Sequence, residues 1–342
     1  MSDSKRLAVL GGGSFGTAIA NIAAEHGITT HLWMRNKRAV DEIRVGRKNK
    51  KYLPDLILHK NLIPTTDLSK ALEDASLVFF AVPSKSFRDV VKSVQGIIKP
   101  DQSVISTTKG IEPGSLNLMS DILKHELPEC SRGVMGGPNL AKEIARHELT
   151  ATVIASEDSA LRQAVQNALG CAYFRVYSSA DIYGVELGGA LKNIYAIMAG
   201  IVAAKDLGEN TTAMLLTRSL AEMGRFAEKQ GANPITFLGL SGVGDLIATC
   251  SSPLSRNYRV GYAFGSGKSL DESVEELGEV AEGVNTLVQV KRYADENDIY
   301  MPLVQGLYQM IYKQVPLSDV IKHLMAGEQN SDVEFTLSKG GI

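Results

Sequence analysis

One stretch near the start of the chain restricts the fold more than any other. Residues 6–27 read RLAVLGGGSFGTAIANIAAEHG: a short apolar run, a cluster of glycines, then a run with helical spacing. Gly11, Gly13 and Gly16 stand at G-x-G-x-x-G spacing directly between a strand pattern and a helix pattern. In that setting the first glycine permits a tight turn. The second lacks a Cβ, so a pyrophosphate can approach the backbone, and the third lets the helix lie close on the strand. The start of the helix offers unpaired N–H groups and the positive end of a dipole to the phosphates. A glycine-rich turn that binds nothing is the plain alternative. The strand before and the helix after favour a dinucleotide.

The rest of the first half keeps the same rhythm. Leu7–Leu10, Thr29–Met34, Leu77–Val82, Ser103–Thr107 and Gly133–Met135 read as strands. Helical patterns lie between several of them, at Thr17–His26, Leu68–Glu73, Ser86–Ile97 and Leu116–Glu126. Strands that alternate with helices imply a parallel sheet covered on both faces. Ala151–Ala155 and Tyr173–Tyr177 flank a helical run at Ala160–Leu169 and extend the sheet. Beyond Asp181 the strand signal stops. Helical patterns follow at Tyr183–Lys205, Thr211–Gln230, Leu270–Leu277, Thr286–Glu296, Pro302–Lys313 and Pro316–His323. The expected architecture is an α/β N-terminal Rossmann-like domain with a mostly parallel sheet (residues 1–182) and an all-α C-terminal domain (residues 183–342). The polar tail from Gln329 is expected to fray.

Bulk properties narrow the class. With 342 residues, 44% hydrophobic and 22% charged, the chain has material for two ordinary cores. A net charge of −2 offers no bulk attraction to nucleic acid or to an acidic membrane. No apolar run approaches the ~20 residues of a membrane-spanning helix, so no membrane insertion is expected. Met1–Arg6 runs straight into a strand and leaves no room for a signal peptide. Cys130, Cys171 and Cys250 are odd in number and far apart, which suits a reducing cytoplasm rather than a disulfide framework. The six histidines show no metal-ligand spacing, and no metal is expected.

The end of the second strand bears on the choice between NAD and NADP. An acidic residue there would hold the ribose 2′-hydroxyl. The strand instead runs into Arg35, Asn36, Lys37 and Arg38, with no carboxylate before Asp41. Arg35 suits a 2′-phosphate, so NADPH is expected to be accepted. Solvated loop charges are the alternative.

Chemistry enters with the helix around Lys192. Leu187, Leu191, Ile194, Met198 and Ile201 share one stripe, which reads as core, and Lys192 lies away from it. Gly188 and Gly189 precede the lysine and cost about 1 kcal/mol each relative to alanine in mid-helix. That cost implies room for a substrate or another backbone beside it. Reducing a ketone needs a proton donor near the carbonyl oxygen, and a lysine with a lowered pKa serves both directions of the reaction. A surface lysine beside close helix packing is the alternative.

Asp245 follows a glycine-rich turn and can fix the lysine ammonium by a charge-assisted hydrogen bond. Ser255, Arg256 and Asn257 offer a guanidinium fork and neutral donors to a phosphate. Helix capping around Asp245 and a solvated turn at Arg256 are the alternative there. Lys109, in Ser106–Ile111, lies just past a strand, where open parallel sheets place their ligands. The segment Gly136–Glu143, which includes Gly137, Asn139 and Ala141, also follows a strand and opens a helix.

Together these segments resemble the bacterial-type NAD(P)-dependent glycerol-3-phosphate dehydrogenase family. The matching stretches are GGGSFGTAIA, FFAVPS, STTKGI, GGPNLAKEI, VELGGALKNIYAI, LSGVGDLIATCSSPLSRNYRVG and EVAEGVNT, in family order from residue 11 to residue 286. The resemblance implies a reversible hydride transfer between NAD(P)H and dihydroxyacetone phosphate, which supplies sn-glycerol 3-phosphate for phospholipid synthesis. It implies that Ser14, Phe15, Arg35, Ala141, Val280 and Glu282 contact the cofactor, NADPH/NADP or NADH/NAD. Lys109 and Arg256 would touch both cofactor and substrate. Gly137, Asn139, Asp245, Ser255 and Asn257 would lie at the substrate, with Lys192 as the proton acceptor. Asn139 stands where the family often has threonine or serine, and is expected to donate a hydrogen bond in their place. Family members often form homodimers. Two other readings remain open: a dehydrogenase of another phosphorylated or hydroxy-acid substrate, and an inactive NADPH-binding sensor.

Overall fold

In the computed structural model, residues 6–277 and 281–326 are described. The first half runs β1 (Arg6–Leu10), α1 (Ser14–Glu25), β2 (Thr29–Trp33), α2 (Lys37–Gly46), β3 (Leu62–Thr65), α3 (Leu68–Leu72), β4 (Ala75–Phe80) and α4 (Ser84–Ser93). It continues through β5 (Ser103–Ser106), α5 (Met119–Glu126), β6 (Arg132–Gly136), α6 (Ala141–Ala145), β7 (Thr150–Ala155), α7 (Ser159–Leu169) and β8 (Phe174–Ser179). These strands form one sheet in the order β3-β2-β1-β4-β5-β6-β7-β8. All neighbours are parallel except β6 and β7.

The alternation of side chains along a strand explains the two cores. Leu7, Val9, Phe79 and Ile105 pack with Ile19 of α1 and Val165 of α7. Ala8, Leu10, Val78, Phe80 and Val104 pack with Phe87 of α4 and Ile122 of α5. A sheet buried on both faces needs strands that are apolar throughout, which is how they read. Chain order reverses between β1 and β4, so the loop after β1 opens at a topological switch point.

The second half contains α8 (Ile182–Ala204), α9 (Glu209–Lys229), α10 (Asp245–Ser251), α11 (Arg256–Gly265), α12 (Leu270–Leu277), α13 (Glu282–Glu296), α14 (Pro302–Lys313) and α15 (Leu317–Met325). The two compact units divide between Ala190 and Leu191, inside α8 rather than ahead of it.

Several expectations need correction. β3 and α2 were not anticipated, nor were the short α10 and α11. The expected helix from Leu116 begins only at Met119. The expected absence of any apolar run near membrane-spanning length is overturned by α8, which is long and apolar enough by length and composition. That helix is nonetheless a core element, with 83% of its most apolar window buried. The single apolar stripe predicted for it is also too narrow, since every residue from 184 to 202 is buried. A helix apolar all round belongs inside a core. A Cβ on Gly200 would stand 2.1 Å from the Tyr258 carbonyl oxygen, so α8 and α11 cross at backbone distance. The backbone approach expected beside Lys192 is made by α13, where a Cβ on Gly283 would lie 2.5 Å from the carbonyl oxygen of the adjacent Asn193. Val280 and the tail from Gln329 lie outside the described residues.

Candidate active site

In the first unit the loop after β1 is built as its glycines require. Gly11 has φ 123°, in the left-handed region, and a Cβ there would sit 2.3 Å from the Ala81 carbonyl oxygen. A Cβ on Gly16 would be 2.1 Å from the Gly11 carbonyl oxygen, so helix and turn touch. Gly13 differs: an added Cβ would meet nothing within 4 Å. That open face sits at the N-terminus of α1, where Ser14 is the first helical residue. Helix N–H groups and space that a side chain would otherwise fill suit the diphosphate of a dinucleotide. Phe15 and Ala141 pack, partly buried, against the adjoining core.

Arg35 follows β2 and is exposed, without a hydrogen bond or ion pair among the described residues. Its neighbours are engaged. Arg38 pairs with Glu42 at 3.2 Å, and Asp41 pairs with Arg44 at 3.3 Å.

Lys109 follows β5. Its Nζ donates to the Gly137 carbonyl oxygen at 2.6 Å. The loop that carries it is fastened on both sides. Thr108 donates its hydroxyl to the Val82 carbonyl at 2.6 Å. Glu112 receives two hydrogen bonds from Arg88, which holds its carboxyl down at about 2. Gly189 of α8 faces the Lys109 stem, where a Cβ would lie 3.5 Å from its Cγ. The Lys109 stem thus lies on that side of the glycine. Asn139 donates through Nδ2 to Thr152 Oγ1 at 3.0 Å, and the Thr152 hydroxyl in turn donates to the Gly136 carbonyl. The atom left buried without a partner is the acceptor Oδ1.

In the second unit Lys192 and Asp245 are both buried and form an ion pair. Lys192 Nζ also donates to Thr249 Oγ1. Asp245 and Thr249 share one face of α10 because they are four residues apart. The neighbouring Cys250 thiol is pushed up to about 12 by burial, which makes it a packing residue and not a nucleophile.

Ser255 caps α11, accepting from Tyr258 N at 3.3 Å, so the cap falls here and not around Asp245. Arg256 is the first residue of that helix and is exposed. Asn257 is buried and internally committed. It donates to Asn193 Oδ1 at 2.9 Å and accepts from Gly283 N at 2.9 Å. Its side chain therefore ties the start of α11 to α8 and α13. Glu282 opens α13. Among the described residues no cluster of three or more His, Cys, Asp or Glu could hold a metal.

Sequence reasoning missed Thr249, whose four-residue spacing from Asp245 was an available signal. It also missed Asn193, adjacent to Lys192, and Asn49. The latter reaches the glycine loop from outside any motif.

A doubly wound sheet with an open glycine turn at its switch point, followed by a helical half that buries a lysine–aspartate pair, defines a nicotinamide-dinucleotide dehydrogenase. Comparisons with known proteins narrow this. The family model described as NAD-dependent glycerol-3-phosphate dehydrogenase N-terminus matches residues 6–162, and its C-terminus counterpart matches residues 181–322. The chain belongs to this family and is an NAD(P)-dependent oxidoreductase. A glycerol-3-phosphate dehydrogenase [NAD(P)+] of Acinetobacter baumannii (strain SDF) is 55% identical over 97% of this chain and 93% of its own length. Its counterpart from Pseudomonas aeruginosa (strain LESB58) is 54% identical over 99% of this chain and 100% of its own. The crystal structure of glycerol-3-phosphate dehydrogenase from Coxiella burnetii superposes with a TM-score of 0.90 at 34% identity. That match covers 95% of this chain and 99% of the other.

Proposed function

We propose that the chain reduces dihydroxyacetone phosphate reversibly to sn-glycerol 3-phosphate at the expense of NAD(P)H, with Lys192 as the general acid and base. The observation that carries the lysine's role is its burial in a hydrogen-bonded triad with Asp245 and Thr249. A buried ammonium held by two side chains has a fixed direction, which proton transfer requires. The dinucleotide, when bound, supplies the hydride. As the substrate carbonyl carbon accepts it, negative charge grows on the oxygen and Lys192 Nζ delivers a proton there. In the reverse direction the same amine takes the proton from the hydroxyl. Asp245 and Thr249 orient the amine throughout.

The substrate phosphate is held at the start of α11, where the helix N-terminus and the Arg256 guanidinium both attract an anion. Ser255 and Asn257 keep that helix start in shape. Lys109 and Gly137 lie at the ligands, with Asn139 Oδ1 as an acceptor. Gly11, Gly13, Ser14, Phe15 and Gly16 receive the dinucleotide, Ala141, Val280 and Glu282 complete its contacts, and Arg35 meets a 2′-phosphate. The product feeds glycerophospholipid synthesis. The protein works in the cytoplasm, which its three unpaired cysteines suit, and as a homodimer, which sedimentation checks.

A spectrophotometric assay of NADPH oxidation tests the reaction. Dihydroxyacetone phosphate is expected to support turnover far better than unphosphorylated dihydroxyacetone. Equal rates with the two would remove the phosphate-binding role of the α11 start.

A further inference from the structure

We propose that Asn49 is a positioning residue for the cofactor: it holds the glycine loop in the orientation that presents a backbone N–H to the dinucleotide phosphates. Asn49 lies after α2, in a segment outside every motif of the sequence, and is only 3% exposed. Its Nδ2 donates to the Gly12 carbonyl oxygen at 2.9 Å and to Thr17 Oγ1 at 2.8 Å. A carbonyl oxygen can only accept, so the amide nitrogen and not the amide oxygen must face Gly12.

The consequence follows from peptide geometry. No peptide bond is cis among the described residues. In a trans peptide the C=O and the following N–H point in opposite directions. Holding the Gly12 carbonyl inward therefore turns the Gly13 N–H outward, at the residue whose surroundings are open. Thr17 joins the same arrangement from α1, its backbone N–H bonded to the Gly13 carbonyl at 3.0 Å. One side-chain amide thus bridges both ends of the turn that glycine makes pliable. Glycine leaves the loop free to approach a phosphate but also free to flip, and an external clamp removes the second freedom.

The segment that carries Asn49 is itself tied down. Tyr52 and Leu53 donate their backbone N–H groups to the Asn49 carbonyl. Arg47 donates to the carbonyls of Leu58 and Leu62 at 3.1 and 3.0 Å. His59 N donates to Asn21 Oδ1 of α1 at 2.7 Å. The amide is consequently delivered to the loop from a fixed anchor.

The inference rests on the glycine loop receiving the dinucleotide, and four variants of the full-length protein separate the two claims. Asn49→Ala is expected to raise the dissociation constants of NADH and NADPH together, each by about ten-fold, the size of one buried hydrogen bond with its stranded acceptor. At saturating cofactor kcat stays close to that of the unaltered protein. Asn49→Asp, which has the same shape but turns an acceptor toward the Gly12 carbonyl, is worse than alanine. The inhibition constant of ADP-ribose rises with that of the cofactors. That of 2′-AMP, which lacks the diphosphate, does not move, whereas Arg35→Ala moves it. Gly13→Val abolishes cofactor binding if the loop is the site. Cofactor affinity intact in Gly13→Val would overturn the loop assignment and this inference with it. Affinity lost in Gly13→Val but unchanged in folded Asn49→Ala and Asn49→Asp would overturn the role of Asn49 alone. A fall in thermal midpoint without a change in cofactor affinity would do the same.

Discussion

Lys192 and Asp245 form an ion pair inside the second unit, with side chains only 5% and 1% exposed. A charge that deep is stable only with its partner, because burial strips its hydration. Asp245→Asn keeps the shape and removes the compensating charge. The expected cost is about 3–5 kcal/mol of stability, the usual penalty for breaking a buried pair from one side. A denaturant titration reads it directly, and a loss under 1 kcal/mol would show that the pair is not energetically coupled.

Lys192→Ala separates chemistry from binding. Removing a general acid–base group is expected to lower turnover by at least ~100-fold. The glycine loop is untouched, so NADPH affinity stays. Fluorescence titration with NADPH alongside steady-state kinetics makes the comparison, and near-normal kcat would exclude the lysine as proton donor.

Thr249→Val probes the third member of the triad, which has almost the same volume in either form. Losing a hydrogen bond to a charged group costs about 1.5–3 kcal/mol, so kcat is expected to fall about ten-fold or more. Cofactor KM stays constant because the change is confined to the orientation of the amine. A variant that alters cofactor KM and leaves kcat alone would contradict the positioning role.

Much of this arrangement was legible because it rests on short-range rules. The β1–α1 turn declares itself through three glycines at set spacing, and the central strands through runs apolar on both faces. β3 was hidden for a physical reason: it is four residues long and contains Pro64. Proline is tolerated there because the strand lies at the sheet edge. α2 was hidden because only Val40 and Ile43 of its ten residues are buried. In α8 the spacing located Lys192, but periodicity reports which face is apolar, and here every face is. Asn49 lies 37 residues from the carbonyl it holds. No local pattern can report a pairing that only the completed fold creates.

Arg35→Ala addresses cofactor choice. An exposed guanidinium that meets a 2′-phosphate contributes to NADPH and not to NADH. The dissociation constant of NADPH is expected to rise about ten-fold, within the range for a charged hydrogen bond, with NADH unchanged. A uniform change for both cofactors would move Arg35 from the 2′-phosphate to a general electrostatic role.

Two buried carboxyls are expected to contribute to the pH dependence of stability. Burial pushes Glu222 up to about 7 and Glu186 up to about 8, from an ordinary value of 4.5. Glu222 accepts from the backbone N–H groups of Leu303 and Val304 and from the Tyr195 hydroxyl, which joins α9 to α14 and α8. Glu186 accepts from Ser120 at the start of α5. Both hold their protons more tightly in the folded chain than in the unfolded one. Their contribution is therefore complete below pH 4.5 and is lost as the pH rises through about 7 and 8. For Glu222 the loss is on the order of 3 kcal/mol. Glu112 acts in the opposite sense: Arg88 lowers its carboxyl to about 2, so its contribution disappears only as the pH falls below 4.5 toward that value. Stability measured by urea titration is expected to decline from pH 5 to pH 8, and Glu222→Gln, which cannot ionise, is expected to flatten the part between pH 5 and pH 7. An unchanged slope in that variant would mean that Glu222 does not titrate in this range.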